Sequence, residues 1–363
     1  MMAITQHREK QAVRMDFKDL AMPQTAPFFI IGTERSGSNL LRLILNAHPA
    51  LCVPHPPHIL KYFAPLAASY GNLGDPARLA RLVRDVRGLI KAHIHPWEMV
   101  PSEAELLAAQ PRSLVGLFFA VYDAHCRWAG KHRWGCKSTF VIDHLEAVLA
   151  LCPKARFIWL VRDPRDVAAS SRRSLFSPFH PWFTANLWQH QQDMGLRGQA
   201  AHPQNFLLVR YEDLLTTPEA TVRQLCDFLG EAFTPAMLEF HRTAAAHQSS
   251  ELSACWQNTA KPIQPNNRER YRRELSPAEI ALVEGMCGRL MQHFGYPLEA
   301  AQGAAAPGPL HRLWFRVLDG YWQFPVEFRA WRHDRNYRLH WRRRLFLWRL
   351  RLAAHLRRFT HGH

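Results

Sequence analysis

The sequence of 363 residues predicts an α/β fold in which helices cover both faces of a parallel central sheet. Two observations predict this class. Several short runs, such as residues 28–32 and 156–161, are almost continuously apolar, which is typical of parallel strands that are buried on both faces. Stretches with the periodicity of amphipathic helices separate these runs, so that strand and helix alternate along the chain.

The pattern predicts four strands and nine helices in the main body, followed by a helical C-terminal extension. The predicted strands are 28–32, 132–136, 156–161 and 205–210. The predicted helices lie near 38–47, 77–92, 114–130, 139–151, 164–174, 182–199, 218–229, 234–246 and 276–294. The corresponding domain boundaries are an N-terminal extension over 1–25, a main domain over 26–300, a linker over 301–310 rich in Gly, Pro and Ala, and an extension over 311–363.

The first strand runs into a short polar loop and then into an apolar helix, in the segment FFIIGTERSGSNLLRLILNAHP (28–49). Backbone N–H groups at such a helix N-terminus lack intrahelical partners, and the helix dipole adds positive potential. Gly32 and Gly37 allow close approach of a ligand, and Arg35 adds a permanent charge. The segment therefore predicts an anion site, most simply for a nucleotide.

This loop differs from the phosphate-binding loop of P-loop NTPases, which reads G-x-x-x-x-G-K-[ST]. Gly32 and Gly37 have the right spacing, but Ser38 and Asn39 stand where the Lys and the Mg²⁺-binding hydroxyl belong. The loop thus suits a group with less charge than a magnesium triphosphate. An ordinary strand–turn–helix with an incidental Arg is the alternative.

A second strand–turn–helix segment, RFIWLVRDPRDVAASSRRS (156–174), has polar residues where an open α/β sheet binds ligands. Arg162 follows the strand directly, Asp163 is a suitable helix N-cap, and Pro164 suits the first turn. Ser170 lies eight residues after Arg162, about two turns into the helix.

Together these two segments resemble the sulfotransferases that use 3′-phosphoadenylyl sulfate (PAPS), which have a P-loop NTPase-like fold. In that family a loop of the type [KR]-S-G-[ST]-[TN] holds the 5′-phosphosulfate, and an Arg with a Ser eight residues later holds the 3′-phosphate. The matching residues here are Arg35, Ser36, Gly37, Ser38 and Asn39, then Arg162 and Ser170. The resemblance covers about Phe28 to Pro297 and is closest to the tyrosylprotein and bacterial branch.

The resemblance implies roles for three further residues. Lys137, in RWGCKST, matches a Lys that reaches the transferring sulfuryl group, while Tyr211 and Lys261 match residues that contact the nucleotide. Tyr211 could instead close a core strand, and Lys261 could be a solvated loop lysine. PAPS is then the expected co-substrate, PAP the product, and an unidentified hydroxyl compound the acceptor, with no metal needed because one negative charge is transferred.

The general base is expected to differ from that of the tyrosylprotein branch, which places a Glu about twenty residues after the loop Arg. No carboxylate occurs between Arg35 and Asp75, whereas His55 and His58 stand in that region. Other sulfotransferases use a His base, and an imidazole near its ordinary pKa of about 6.5 suits the task. We expect His55 ahead of His58, with a rate that rises through roughly pH 6–7; loop histidines packed on prolines are the alternative.

Composition limits the setting of this activity. Seven scattered cysteines without a C-x-x-C pair favour reduced thiols and argue against zinc, and the first twenty residues contain no apolar signal core. A cytoplasmic protein is therefore expected. Residues 311–363 carry 13 Arg against three acidic residues, interleaved with a dozen aromatic residues.

This basic extension has three open interpretations. Its helix pattern at 339–359 could lie on the inner surface of an anionic membrane, contact a polyanion without sequence-specific recognition of nucleic acid, or pack on the body or on a second copy of the chain. For the whole protein, the competing functions are a divergent P-loop kinase or NTPase and an inactive PAP-binding protein. The segments 59–131 and 174–204, between the nucleotide-binding elements, are expected to frame the acceptor pocket.

Overall fold

The computed structural model describes residues 25–95, 97–175, 177–299, 308–334 and 336–360. Residues 1–24 of the N-terminal extension predicted over 1–25, and residues 301–307 of the predicted linker, lie outside these ranges. Five strands form one parallel sheet in the order β2-β3-β1-β4-β5. The strands are β1 (Phe28–Gly32), β2 (Leu51–Cys52), β3 (Arg133–Lys137), β4 (Arg156–Val161) and β5 (Phe206–Arg210).

Fifteen α-helices accompany the sheet in the described ranges. They are α1 (Ser38–Asn46), α2 (Ile59–Phe63), α3 (Pro76–Lys91), α4 (Glu103–Leu107), α5 (Leu114–Trp128), α6 (Leu145–Leu151), α7 (Pro164–Ser171), α8 (Pro181–Ala201), α9 (Tyr211–Thr216), α10 (Pro218–Leu229), α11 (Ala244–Leu252), α12 (Tyr271–Glu274), α13 (Pro277–His293), α14 (Pro309–His333) and α15 (Tyr337–Thr360). The α/β class, the parallel sheet and the helical C-terminal extension are confirmed.

One predicted helix is wrong and one strand escaped the sequence pattern. Residues 234–246 form two 3₁₀ turns, Pro235–Met237 and Phe240–Arg242, before α11 begins. Thr243 is extended and its side chain accepts a hydrogen bond from the N–H of Ala246, so it caps a new helix instead of continuing an old one. Strand β2 has only two residues, too few to show any periodicity.

The strand side chains alternate between two buried layers. Phe28 and Ile30 pack under α1 and α10, whereas Phe29 and Ile31 pack in the larger layer that contains α3 and α5. All four are at most 1% exposed. Burial of both faces explains why the strands read as uninterrupted apolar runs.

Chain connections leave β1 and β4 in opposite directions. From β1 the chain passes through α1 to β2, beyond β3, whereas β4 leads to β5 at the other edge. The strand order therefore reverses between the neighbours β1 and β4. In open α/β sheets, ligands bind outside the carboxyl ends of the strands at such a point.

The C-terminal helices pack on the body of the protein. In α14, Asp319 accepts hydrogen bonds of 2.7 Å from the N–H groups of Phe179 and His180, and Phe315 stacks on His180. Helix α15 lies against α3 and the 3₁₀ helix Ala64–Tyr70, with the guanidinium of Arg357 4.6 Å from the Tyr70 ring.

None of the helices within the described ranges combines the length and the apolar character that a membrane-spanning segment requires.

Candidate active site

A cavity of about 920 Å³ opens at the carboxyl edge of the sheet, beside β1 and β4. The structure brings most of the predicted site residues together in its wall: Arg35, Gly37, Ser38, Asn39, His55, His58, Lys137, Arg162, Ser170 and Tyr211. Ser36 lies beneath the surface, with a fully buried hydroxyl that has no hydrogen-bond partner among the described residues. Residues far apart in the sequence thus meet at the point where the strand order reverses.

The loop after β1 depends on two glycines. Gly32 has φ +131°, and a Cβ built there would lie 2.1 Å from the carbonyl oxygen of Leu160. Gly37 has φ +90°, and its Cβ would lie 2.3 Å from two carbons of the Tyr211 ring. Both positions favour glycine by conformation and by space. Their close contacts hold the loop against β4 and α9.

The loop delivers the uncapped N-terminus of α1 to the cavity. Gly37 is the N-cap residue and offers no side-chain hydrogen bond, and no acidic residue lies in the first turn. Ser38 and Asn39 line the cavity directly above. The first N–H groups of the helix and its dipole therefore favour an anion.

Arg35, Ser170 and Arg162 form a connected group on the β4 side. The Nε of Arg35 donates to Ser170 Oγ at 3.2 Å, and Nη1 of Arg162 donates to the carbonyl oxygen of Arg35 at 3.0 Å. Arg162 Nη2 donates to the carbonyl oxygen of Asn267 at 3.1 Å. A guanidinium has five N–H donors, so Arg162 retains donors for a ligand, and its buried Nε has no partner in the part of the chain that the structure describes.

Tyr211 lies at the start of α9, immediately after β5, and it is almost fully buried. The guanidinium of Arg162 is 4.4 Å from its ring centroid, and its hydroxyl accepts a 2.8 Å hydrogen bond from Asn267 Nδ2. Burial raises the pKa of the Tyr211 hydroxyl, which keeps it neutral. Asn267 thus holds both Arg162 and Tyr211, and sequence reasoning missed it because a lone loop Asn carries no signal.

Lys137 is the last residue of β3 and lines the cavity. Burial lowers the pKa of its ammonium group to about 8, and nearby Arg42 and Arg35 act in the same direction while Glu34 opposes them. The ammonium is therefore protonated at neutral pH and close to losing its proton in mild alkali.

His55 and His58 both line the cavity, held in different ways. The ring of His55 stacks on His95 with a centroid distance of 5.0 Å, and no described residue forms a hydrogen bond with its buried Nδ1. His58, with φ +58°, bonds through Nδ1 to Ser138 Oγ at 3.1 Å, beside Lys137. This bond leaves Nε2 of His58 available to a ligand.

The expectation of an ordinary histidine pKa is wrong. Burial, followed by His95 and His93, lowers the pKa of His55 well below 6.5. Burial, followed by Lys137 and Lys61, does the same for His58. Both imidazoles are therefore neutral at physiological pH, the form that a general base requires.

Arg42 is a buried residue of the site region that was not predicted. Although it lies on the apolar face of α1 and is 2% exposed, its Nε donates to Asn39 Oδ1 at 2.8 Å. Its other donors reach the carbonyl oxygen of Val53 and the hydroxyl of Ser249. An Arg within the apolar run LLRLIL is a signal that could have found it.

Lys261 is the one predicted residue that lies apart from the others among the described residues. Its side chain is exposed, and it lines a neighbouring cavity together with Arg270 and Arg273. Asn267 and Arg270 contribute to both cavities, so Lys261 lies next to the site without entering it.

Comparison with known proteins identifies the class to which this fold and loop belong. Residues 27–235, more than half of the chain, match the sulfotransferase family. The chain therefore belongs to the sulfotransferase family.

Individual relatives match over shorter spans. Carbohydrate sulfotransferase 3 of Homo sapiens is 28% identical over 177 residues, which cover 42% of this chain and 35% of the relative. Sulfotransferase 2A1 of Rattus norvegicus is 29% identical over 117 residues, covering 26% of this chain and 39% of the relative. The chain spans little more than a third of the length of these curated relatives.

One solved structure supports the fold. The sulfotransferase domain from the curacin biosynthetic pathway aligns with a TM-score of 0.53 at 19% identity, over 77% of this chain and all of that domain. At this identity, the likeness concerns the fold alone.

Proposed function

We propose that the protein transfers a sulfuryl group from PAPS to the hydroxyl of an acceptor. The observation that carries this proposal is the convergence on one cavity of the uncapped α1 N-terminus, Arg35, Lys137, Arg162 and Ser170. These groups lie at or after the ends of three strands. The loop after β1 lacks the Lys that binds a triphosphate in P-loop NTPases.

Some of these residues would bind PAPS, and others would stabilise negative charge during transfer. Arg162 and the Ser170 hydroxyl would hold the 3′-phosphate, since Arg162 retains guanidinium donors and sits rigidly between Tyr211 and Asn267. The first N–H groups of α1 would hold the 5′-phosphosulfate. Tyr211 contributes by fixing the position of Arg162.

Sulfuryl transfer forms a bond between the acceptor oxygen and sulfur and breaks the bond from sulfur to the 5′-phosphate oxygen. The acceptor proton passes to a base, and PAP leaves with the electrons of the broken bond. Negative charge spreads over the sulfuryl oxygens and the bridging oxygen in the transition state. Arg35 and Lys137 are positioned to stabilise this charge, which is where preorganised donors lower a barrier most.

The base would be His55 or His58. Sequence position favours His55, whereas the hydrogen bond between Nδ1 of His58 and Ser138 Oγ orients the ring of His58 beside Lys137. Burial and the neighbouring cations and histidines lower the pKa of both rings, so both are neutral at pH 7. The structure therefore supports His58 as strongly as His55.

Binding of PAP in the presence of EDTA, measured by calorimetry, tests the donor site. We expect PAP to bind without metal, and adenosine 5′-phosphosulfate, which lacks the 3′-phosphate, to bind far more weakly. Equal affinity for the two nucleotides would contradict the assignment of Arg162 and Ser170. A screen with radiolabelled PAPS over phenols, sugars, lipids and tyrosyl peptides tests transfer.

The same pair of measurements separates the competing functions. PAP binding without transfer to any acceptor would indicate an inactive nucleotide-binding protein, and Mg²⁺-dependent ATP turnover would indicate a kinase or NTPase. Arg35→Ala should retain PAP binding while lowering kcat by about 10²–10³, because its charge acts mainly in the transition state.

A further inference from the structure

The cavity carries more positive charge than its own carboxylates balance. Among the described residues, ten cationic and four acidic side chains line it. Several of the arginines have carboxylate partners within the wall or beside it. Arg162 pairs with Asp166 at 3.6 Å, and Arg344 pairs with Glu327 at 3.6 Å. These pairs account for part of the charge on the donor side and at the rim.

Arg343, from α15, is a different case. It is 7% exposed, its Nε is buried without a hydrogen-bond partner, and within the described part of the chain no carboxylate lies within ion-pair distance. Its guanidinium lies 5.9 Å from the ring centroid of Tyr62 and lines the cavity. A buried cation without a counter-charge is costly, so its presence in a cavity wall indicates a ligand that supplies the charge.

Lys61, from α2, lies on the same side. Its ammonium is 3.6 Å from the ring centroid of Phe140 and lines the cavity. Burial lowers its pKa, Glu34 opposes the shift, and Arg343 adds to it, as expected for two cations that share a pocket. The nearest catalytic candidates are also affected by this pair, since Lys61 and Arg343 both lower the pKa of His58.

Each acidic side chain near this wall contacts a residue other than Arg343. Asp334 accepts a 2.6 Å hydrogen bond from Ser253, and Glu327 is paired with Arg344. Glu34 accepts a hydrogen bond of 3.4 Å from Ser177. His340 also lines this wall, and burial together with Arg343 lowers its pKa to about 4, so it adds no charge at neutral pH.

We propose that Lys61 and Arg343 form a subsite for an anionic group, a carboxylate, sulfate or phosphate, that the acceptor carries at a distance from its reacting hydroxyl. The proposal rests on the sulfotransferase function and narrows its acceptor class. Because Arg343 belongs to α15, the C-terminal extension would contribute directly to acceptor choice.

Anion binding is testable without turnover. Protein saturated with PAP is titrated with sodium sulfate, and its melting temperature is compared with that in sodium chloride at the same ionic strength. We expect a sulfate-specific rise in wild type that Arg343→Gln and Lys61→Gln reduce by more than half. Arg349→Gln, an exposed position on α15, is the matched control and should behave as wild type. No sulfate-specific rise, or an equal rise in Arg343→Gln, would overturn the proposal.

Acceptor preference provides the second measurement. Pairs of phenols that differ only in a charged group are compared as sulfate acceptors and as ligands of the PAP complex. The pairs are 4-hydroxyphenylacetate with 4-hydroxyphenylacetamide, and 4-hydroxybenzenesulfonate with its sulfonamide. We expect the charged member to be favoured at least tenfold, and Arg343→Gln to remove that preference. Equal use of the two members of a pair, or failure of both to bind, would contradict the subsite. Comparison of the two acids shows whether the subsite prefers a carboxylate or a sulfonate.

Three controls distinguish anion binding by Arg343 from a role in nucleotide binding or in stability. PAP affinity should be unchanged in Arg343→Gln; a loss as large as that caused by Arg162→Ala would show that Arg343 holds the nucleotide instead. The unliganded variant should melt at the wild-type temperature or above it, because a buried unpaired charge has been removed. A lower melting temperature with unchanged anion binding would mark Arg343 as structural. Failure of PAP to bind would count against the sulfotransferase function alone, since the sulfate titration of wild type and variants is then carried out on the unliganded protein.

Discussion

Replacement of Gly37 by Ala perturbs the donor loop at one defined contact. The new Cβ would lie 2.3 Å from Cδ2 and Cε2 of the Tyr211 ring, far inside van der Waals contact. The ring cannot retreat freely, because the guanidinium of Arg162 lies 4.4 Å from its centroid on a neighbouring element. Either the loop or the ring must move, and both hold the proposed phosphate contacts.

The magnitude follows from two separate costs. An alanine at φ +90° carries backbone strain of about 1–2 kcal/mol, and overpacking against the ring adds about 1–3 kcal/mol. We therefore expect Gly37→Ala to lower the free energy of unfolding by roughly 2–5 kcal/mol. PAP affinity should fall at least tenfold, which corresponds to about 1.4 kcal/mol of binding free energy.

Gly230→Ala is the matched control for backbone strain. Gly230 has φ +71° at the C-cap of α10, and a Cβ there would meet no atom within 4 Å. In Gly230→Ala the free energy of unfolding should fall only by the backbone strain, and the PAP affinity should stay at the wild-type value. Chemical denaturation and calorimetric titration with PAP measure the two effects. If Gly37→Ala bound PAP as tightly as Gly230→Ala, the contact between loop and ring would have no part in nucleotide binding.

Four further outcomes are expected. Arg162→Ala should weaken PAP binding by about 1.5–3 kcal/mol in a titration at fixed salt, since a charge-assisted contact to phosphate is lost; an unchanged Kd would refute its role. Lys137→Ala should lower kcat by about 10²–10³ in a radiolabel transfer assay, with a smaller effect on PAP affinity; wild-type turnover would refute it. The rate should stay level from pH 6.5 until Lys137 begins to lose its proton near pH 8, where kcat/KM falls. A rate that climbs through pH 6.5–7.5 would contradict the lowered pKa values of the two histidines, and His55→Ala or His58→Ala should cut kcat about 10²-fold. Finally, the exposed aromatic and Arg side chains of residues 308–334 and 336–357 lead us to expect co-sedimentation of the intact protein with anionic vesicles, weakened by salt; equal recovery with neutral vesicles would argue against it.

The donor side of the site could be predicted because local sequence determines it. The runs 28–32 and 156–161 are strands buried on both faces, so their ends had to meet at one edge of a parallel sheet. Arg35 and Arg162 each follow such a strand within a few residues, and the structure places them in contact. Short-range pattern and sheet topology together were sufficient here.

The acceptor side depends on contacts that no local pattern encodes. The periodicity of α15 indicated a helix but not the surface on which it packs, and α14 gave no clear pattern around Pro325. The sequence of α15 does not tell which of its arginines is buried, whereas the structure buries Arg343 near Tyr62 of α2. The failure at 234–246 has the same origin, since the capping of α11 by Thr243 interrupts a periodicity that continues in the sequence.

The pair of helices α14 and α15 closes one side of a cavity whose opposite side is built by the loops after β1 and β4, much earlier in the chain. The segments that form the proposed donor site and the helices that cover the cavity can therefore change independently in sequence. Exchange of residues 308–360 between related chains could redirect the enzyme to a new acceptor while the machinery that splits the donor stays untouched. A bulky fusion at the C-terminus would act on the same wall, so a tag placed there is a perturbation of specificity and not a neutral handle.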